Sequence, residues 1–254
     1  MMSKPPLLAS LIFALLALTP KANTNELIAA VHTAPPFIIP GDNFDADASE
    51  GIDILILKEI TENLGISLKF KYCAWHSCLK QIKQGKIDIL SFTNKREARE
   101  PYLYYLSMPY ISENPTAVYT RAEDQHKMTS YEDLLGLERV GLISNAAHFP
   151  RLDQDQIMNK VHVNSAEQLY PMLALGRLDA IIVAQRVADH RIKVKGLGDT
   201  IKLAFRLSSG QQPLYITLSK KNVSKAVFQA IDEEHSRLIN NGRIDEIISL
   251  YTNH

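Results

Sequence analysis

The residue types that catalyse reactions or bind metals are present in this sequence, but not at catalytic or metal-binding spacings. The eight histidines are scattered, without an HExxH motif or another paired spacing. The sequence has no glycine-rich phosphate loop and no nucleophile elbow. Asp45, Asp47 and Glu50 occur in a polar loop, where no carboxylate pair stands out for acid–base work. The sequence therefore favours a protein that is not an enzyme and needs no metal or other cofactor.

The N-terminus has the features of an export signal. Lys4 precedes the apolar run of residues 7–18, after which the sequence becomes polar. This run is shorter than the roughly 20 residues that span a bilayer, so a cleaved signal peptide is favoured. We expect residues 1–22 to be removed near Ala22, although Pro20 suits the cleavage site poorly and leaves a retained anchor as the alternative. The mature protein is then expected in the periplasm.

Cys73 and Cys78 are the two cysteines of the chain. Disulfides persist in the periplasm, so export makes these residues a candidate pair. Free thiols are the first alternative. Zinc is the second, but His76 would add only one further ligand and a structural zinc site needs four. We predict a disulfide that pins the segment carrying Trp75.

The overall charge excludes one class of partner. The chain has 28 Lys+Arg and 28 Asp+Glu, a formal net charge of +0. A balanced charge gives no electrostatic preference for nucleic acid or an anionic membrane. Any charge selectivity must therefore come from a local site.

The order of predicted elements indicates an α/β protein. A strand at 27–31 is followed by a proline-rich turn, and the next elements are a helix at 53–63, a strand at 67–72, a helix at 76–84 and a strand at 87–91. Alternating strands and helices imply mainly parallel sheets covered by helices. A similar succession follows, with a helix at 131–135, strands at 139–143 and 161–163, a helix at 166–175 and a strand at 180–183.

The last third of the chain is predicted to return to the first unit. Strands at 201–206 and 214–218 flank the polar segment 208–213, and helices at 223–239 and 244–251 end the chain. The apolar stripes of these two helices need a sheet to cover, and the N-terminal sheet is the one we expect.

The ordered motifs of the chain resemble those of the family 3 extracellular solute-binding proteins, the class that binds polar amino acids. The resemblance rests on Pro35-Pro36-Phe37, Gly51-Ile52-Asp53, Gly85-Lys86-Ile87-Asp88, Ser107-Met108-Pro109-Tyr110 and Gly176-Arg177-Leu178-Asp179. It implies a two-lobed periplasmic-binding-protein-like α/β fold, joined by a two-segment hinge that closes around a ligand. Lobe 1 would contain residues 25–114 plus 214–254, and lobe 2 residues 115–213.

The resemblance also implies ligand-binding residues in lobe 1. Trp75 matches the family's cleft aromatic, and Phe37 is a second possible wall. An arginine of the family grips the ligand carboxylate; Arg99 fits this role better than Arg96. Neutral hydrogen-bonding groups are supplied nearby by Ser91, Thr93 and Asn94.

Lobe 2 departs from the family pattern at two places. Ser144 and Asn145 stand where amino-acid receptors usually have Gly-Thr or Thr-Thr. Ala184, followed by Gln185, replaces the carboxylate that would pair with an α-ammonium group. We therefore expect a small polar or anionic ligand, amino-acid-like or a carboxylate, that need not carry an α-ammonium.

The expected function is that of a monomeric periplasmic protein that presents a small-molecule ligand to an inner-membrane transporter permease. A sensory or partner-binding module is the alternative, since this fold also serves as receptor ectodomains. A dehydratase-like enzyme on the same fold is a further alternative, because fold alone does not fix function.

Overall fold

The computed structural model describes residues 26–125, 127–144, 146, 148–207 and 213–252. Two five-stranded sheets organise these residues. The strands of the first sheet are, in spatial order, Ser67–Tyr72 (β2), Glu26–Val31 (β1), Ile89–Thr93 (β3), Tyr215–Ser219 (β10) and Leu103–Tyr105 (β4). The strands of the second sheet are Lys160–Val163 (β7), Val140–Ile143 (β6), Ala180–Ala184 (β8), Thr116–Arg121 (β5) and Ile201–Arg206 (β9).

Each sheet forms one lobe, and the chain crosses between the lobes twice. It leaves the first sheet between β4 and β5 and returns between β9 and β10. The two crossings lie side by side, since Ile111 and Leu214 form an antiparallel bridge. The expected two-lobed α/β fold is confirmed; the exact residue limits given above for the lobes remain predictions.

The strand directions differ from a mainly parallel arrangement. In the first sheet β1 runs parallel to β2 and β3, whereas β10 is antiparallel to β3 and β4. In the second sheet β6 runs parallel to β7 and β8, whereas β5 is antiparallel to β8 and β9. Both sheets are therefore mixed, because the strands that follow the crossings enter against the direction of the βαβ strands.

Four helices cover the first sheet: Ile52–Asn63 (α1), Trp75–Gln84 (α2), Lys225–Asn240 (α7) and Arg243–Thr252 (α8). Ile231 and Leu238 of α7 and Ile244 and Ile247 of α8 share one buried cluster with β1 and α1. This packing confirms that the C-terminal helices return to the N-terminal sheet. Burying such side chains is worth roughly 1.5–3 kcal/mol each.

The start of α1 explains two of the motifs noted in the sequence. The backbone N–H groups of Ile52 and Asp53 donate to the carbonyl oxygens of Pro36 and Phe37, at 3.1 and 2.9 Å. The first N–H groups of a helix have no partner within it, so the proline-rich turn supplies the missing acceptors. Gly51, with φ 118°, makes this close approach possible.

The second lobe carries the helices Glu132–Leu135 (α3), Pro150–Gln154 (α4), Ala166–Ala174 (α5) and Gln185–Val194 (α6). Ser165 and Gln168 form a capping box that satisfies backbone N–H groups at the start of α5. Separate apolar clusters pack on the two faces of the second sheet. The sheet is thus buried on both sides, as its short apolar strands require.

The predicted signal peptide at residues 1–22 lies outside the described residues. None of the helices in the described part of the chain combines the length and the apolar character needed to cross a membrane.

Candidate binding cavity between the lobes

A cavity of about 120 Å³ lies between the two lobes. Lobe 1 contributes side chains from the ends of β1, β2 and β3 and from the start of α2, and the crossing contributes Asn114 and Thr116. Lobe 2 contributes residues from the ends of β6 and β8 and the start of α5. Clefts between domains are favoured positions for small-molecule sites, and this one receives groups from both sides.

Cys73 and Cys78 form a disulfide, as predicted from the sequence. Between them, Ala74 and Trp75 line the cavity, with Trp75 at the first position of α2. The indole contacts the His32 imidazole edge-on, with the ring centroids 5.0 Å apart. The structure therefore places Trp75 at the cavity wall, on a segment that the disulfide closes into a short loop.

Phe92 is a cavity wall that the sequence interpretation missed. Pairing of β10 with β3 shifts register between Tyr215 and Thr217, which places an extra residue on β3. At this irregularity Phe92 has φ 55°, a conformation that a bulky side chain seldom adopts. β-bulges re-aim side chains next to functional sites, and here the ring lines the cavity, 6.0 Å from the His32 ring centroid.

Phe37, expected as the second aromatic wall, lies elsewhere. Its side chain is 1% exposed and belongs to the apolar cluster of lobe 1. It packs under Phe92, with the ring centroids 5.0 Å apart, and does not line the cavity. The proline-rich turn folds back onto α1, and this carries the ring inward.

Neither arginine proposed to grip a carboxylate lines the cavity. Arg99 is 6% exposed, its guanidinium carbon lies 5.6 Å from the centre of the Trp75 ring system, and its Nη1 donates to the Asn94 carbonyl oxygen at 3.2 Å. Burial lowers its pKa, with Tyr105 acting in the opposite direction. Arg96 instead forms an ion pair with Asp153 of α4, on the other lobe. The geometry thus gives the anion-clamp hypothesis no cavity contact from either residue.

The three polar residues predicted beside the arginines separate into two groups. Asn94 lines the cavity, and its Nδ2 donates to the Pro213 carbonyl oxygen at 3.1 Å. Thr93 is buried and donates to the backbone of Ser91 at 3.1 Å. Ser91 is also buried, and its hydroxyl faces the Asp53 carboxyl without a well-aligned hydrogen bond. Only Asn94 of the three therefore contributes to the cavity surface.

On lobe 2 the predicted residues also differ in position. Ser144 donates its backbone N–H to Val163 and does not line the cavity, and Asn145 lies outside the described residues. Gln185 begins α6, where its Nε2 donates to Asp189 at 3.0 Å and its Oε1 accepts from Arg206 at 2.6 Å. Ala184 does line the cavity, beside Val183. The end of β8 therefore presents an apolar surface.

Four polar atoms of the lining are buried without a hydrogen-bond partner among the described residues: His32 Nε2, His148 Nε2, Asn114 Oδ1 and Tyr170 Oη. Buried polar atoms are normally satisfied, so each such group needs an explanation. Their convergence on one cavity, from both lobes and the crossing, is the arrangement expected of groups that bind a ligand. Burial lowers the pKa of both histidines to about 4, so both rings are neutral near pH 7.

One carboxylate, Glu167 of α5, lines the cavity in the described residues. It forms an ion pair at 2.5 Å with Arg191 of α6, whose side chain is 4% exposed. This contact is electrostatic rather than a well-aligned hydrogen bond, since Nε and Nη1 of Arg191 lack a hydrogen-bond partner. The Arg191 guanidinium also lies over the Tyr170 ring, at 5.2 Å. Glu167 is therefore already engaged by a buried cation.

The buried histidines predict how stability depends on pH. Burial lowers the pKa of His32, His148 and His235 from 6.5 to about 4, so between these values the unfolded chain binds more protons than the folded protein. The free energy of unfolding should fall as the pH falls from about 6.5 to 4. Asp53 has the opposite effect on the free energy of unfolding, because burial raises its pKa to about 7. We expect the three histidines together to have the larger effect. Urea denaturation across this pH range measures the effect.

The pH dependence can be assigned with one variant. His235 is fully buried in α7, away from the cavity, so His235→Gln should reduce the loss of stability at low pH. Gln229→Ala, at an exposed position of the same helix, removes no titratable group; it is the matched control and should leave the pH profile unchanged. An unaltered profile in His235→Gln would show that this histidine does not remain neutral in the fold.

Two α/β lobes that enclose a cavity and share a double crossing define a two-lobed binding-protein fold. An ancestral arginine-binding protein bound to arginine has the same fold, with a TM-score of 0.77 and 23% identity, covering 90% of this chain and 98% of that one. A histidine kinase sensor domain with similarity to periplasmic binding proteins gives a TM-score of 0.78 at 18% identity, covering 91% and 96% of the two chains. At these identities the likeness shows the fold alone.

The family model of bacterial extracellular solute-binding proteins, family 3, matches residues 27–254. The chain belongs to this family. Among curated proteins, the L-cystine-binding protein TcyA of Bacillus subtilis (strain 168) is 23% identical over 176 residues, 69% of this chain and 63% of that protein. The probable amino-acid-binding protein YxeM of the same organism is 23% identical over 157 residues, 61% and 58% of the two chains. Each match spans less than two thirds of the relative's length.

Proposed function

We propose that the protein is a periplasmic solute-binding protein that closes around a small polar solute and presents it to an inner-membrane transporter. In this proposal it works as a monomer, is exported by a signal peptide at residues 1–22 and performs no catalysis. Lobe 1 consists of residues 25–114 plus 214–254, and lobe 2 of residues 115–213. Family membership supports the solute-binding role.

The observation that carries the proposal is the cavity lined by both lobes, with unpartnered polar atoms converging on it. A ligand that contacts both lobes binds the closed state more tightly than the open state, and so shifts the equilibrium towards closure. A transporter that recognises only the closed arrangement would then select loaded protein.

The ion pair between Arg96 and Asp153 supports closure from outside the cavity. It joins the segment after β3 to α4, so it connects the lobes near the cavity. Both side chains are partly exposed, at 33% and 26%, which limits the expected contribution to about 1 kcal/mol. Arg96 in this role stabilises the closed state and does not contact the ligand.

Asp153→Asn should therefore favour the open state and weaken ligand binding by up to about fivefold. Small-angle X-ray scattering measures the opening through the radius of gyration. Glu100→Gln, which breaks the exposed pair with Lys95 within lobe 1, is the control and should change neither quantity. An identical radius of gyration in Asp153→Asn and the parent would remove the closure role from this ion pair.

A thermal-shift screen of the mature protein tests the proposed function, because a ligand that binds only the folded state raises its melting temperature. The relatives named above make L-cystine, L-arginine and other polar amino acids the first compounds to include, with carboxylates, polyamines, sugars and neutral aromatic compounds as further sets. A screen in which no class of small solute raises the melting temperature would count against the proposal.

The shared fold with a histidine kinase sensor domain supports sensing as a second candidate. Cross-linking of the ligand-loaded protein in cells separates the two roles. A permease in the cross-linked product supports transport, and a membrane kinase supports sensing.

A further inference from the structure

The charge of the cavity lining restricts the ligand, an inference that rests on the proposed function. The described lining contains no lysine or arginine, and its single carboxylate, Glu167, is paired with Arg191 at 2.5 Å. Arg99 lies behind the Trp75 indole, and Arg96 is engaged by Asp153. A charged group of a ligand would lose its water shell on entering this cavity. The charged side chains that it would meet or approach there are already engaged by other residues of the protein.

Apolar side chains line the cavity on both sides. Trp75, Phe92 and His32 form a ring cluster on lobe 1, with centroid distances of 5.0 Å between His32 and Trp75 and 6.0 Å between His32 and Phe92. On lobe 2 five aliphatic side chains form an aliphatic surface: Ile143, Ile182, Val183, Ala184 and Val187. The polar residues Asn164, Ser165 and Glu167 also line the cavity from this lobe. Rings favour flat partners, because offset-stacked and edge-to-face aromatic pairs gain stability beyond that of area burial alone.

Phe92 occupies the ring cluster with an unfavourable backbone conformation. Its φ of 55° within a strand is sterically unfavourable for a bulky side chain and persists only where the surroundings impose it. Such outliers gather at ligand-binding sites. The strained backbone and the bulge together indicate that the ring's place in the cavity has a binding role.

Hydrogen bonding remains available in this apolar setting. The unpartnered atoms of His32, Asn114 and Tyr170 belong to residues that are 4%, 4% and 1% exposed, and all three line the cavity. The Asn114 oxygen is an acceptor, and the Tyr170 hydroxyl can donate or accept. These groups suit a ligand with a few polar atoms at its edge.

We infer that the cavity binds an uncharged solute with a flat ring and a few hydrogen-bonding groups, such as an aromatic or heteroaromatic amide, packed between the lobe 1 ring cluster and the lobe 2 aliphatic surface.

Three ring compounds that differ in charge test this inference: benzamide, benzoate and benzylammonium, with L-arginine and L-cystine as charged comparisons. Isothermal titration calorimetry should show benzamide binding at least about tenfold more tightly than benzoate or benzylammonium, or about 1.4 kcal/mol. Tighter binding of any charged compound would overturn the inference and leave the proposed function standing. Binding of none of the five would also overturn it, while the scattering experiment and the wider screen would still judge the proposed function.

Variants locate the site of binding. Phe92→Ala should weaken benzamide binding by about tenfold or more, because the ring wall is lost. Phe228→Ala is the matched control, since the Phe228 ring stacks on Tyr104 with the centroids 4.6 Å apart and neither residue lines the cavity. If Phe92→Ala unfolds, Phe92→Asn replaces it, because asparagine tolerates a positive φ. Unchanged benzamide affinity in the folded Phe92 variant would overturn the assignment.

Discussion

Gly51→Ala is expected to destabilise the protein by about 3–5 kcal/mol, among the largest effects of any single methyl group in the chain. A Cβ atom at this position would lie 2.4 Å from the Phe37 carbonyl oxygen and 2.8 Å from its carbon, both backbone atoms that cannot rotate away. The φ of 118° is itself unfavourable for alanine. The clash would separate the proline-rich turn from the start of α1.

Gly65→Ala is the matched control for this prediction. Gly65 also has a positive φ, 65°, but an added Cβ would meet nothing within 4 Å. Its cost should be about 1 kcal/mol, the penalty of a left-handed conformation alone. Urea denaturation of both variants measures the difference, and equal losses would contradict the role given to the contact with Phe37.

Glu167→Gln is expected to cost about 2–3 kcal/mol. The change leaves the Arg191 guanidinium, 4% exposed, without the carboxylate that pairs with it. Removing one partner of a fully buried pair costs roughly 3–5 kcal/mol, and the 34% exposure of Glu167 reduces that figure through solvent screening.

The control for Glu167→Gln is Glu132→Gln. Glu132 pairs with Arg151 at 2.6 Å, but the two side chains are 64% and 53% exposed. Surface pairs of this kind contribute little, so the control should be nearly as stable as the parent in urea denaturation. Similar values for both variants would mean that Arg191 finds enough compensation from the Tyr170 ring.

The regular elements were predictable because their apolar patterns are local. The spacing of Ile54, Leu57 and Ile60 predicts α1, and all three are buried. The sequence analysis missed α6 because polar and charged residues together dominate Gln185–Val194, and packing of Val187 and Ala188 holds this helix in place. β5, at Thr116–Arg121, lacks a clear alternation and gains its burial from β8 and β9, which follow it in the chain.

The site was less predictable than the fold. The direction in which a side chain points, and the residues that it contacts, depend on parts of the chain that are distant in sequence. The family resemblance predicts Trp75 as a cleft aromatic, and the structure has Trp75 in the lining of the cavity; its contact with a ligand stays a prediction. Simple alternation along β3 could not give the direction of Phe92, since the bulge that turns it arises from pairing with β10. Likewise, Asp153 is far from Arg96 in sequence, so a cationic side chain beside the predicted site could not be recognised as a link between the lobes.

The position of β10 sets an order for assembly as the chain is synthesised from its N-terminus. All strands of the second sheet come from one continuous stretch, β5 to β9, so this lobe can complete its sheet before the C-terminal part of the chain has been synthesised. The first sheet cannot, because β10 lies between β3 and β4 and is the last strand to emerge. Until then β3 and β4 present open edges, which are the surfaces most prone to aggregation. A chain interrupted before residue 215 would keep a whole second sheet but lack the strand that joins the two parts of the first.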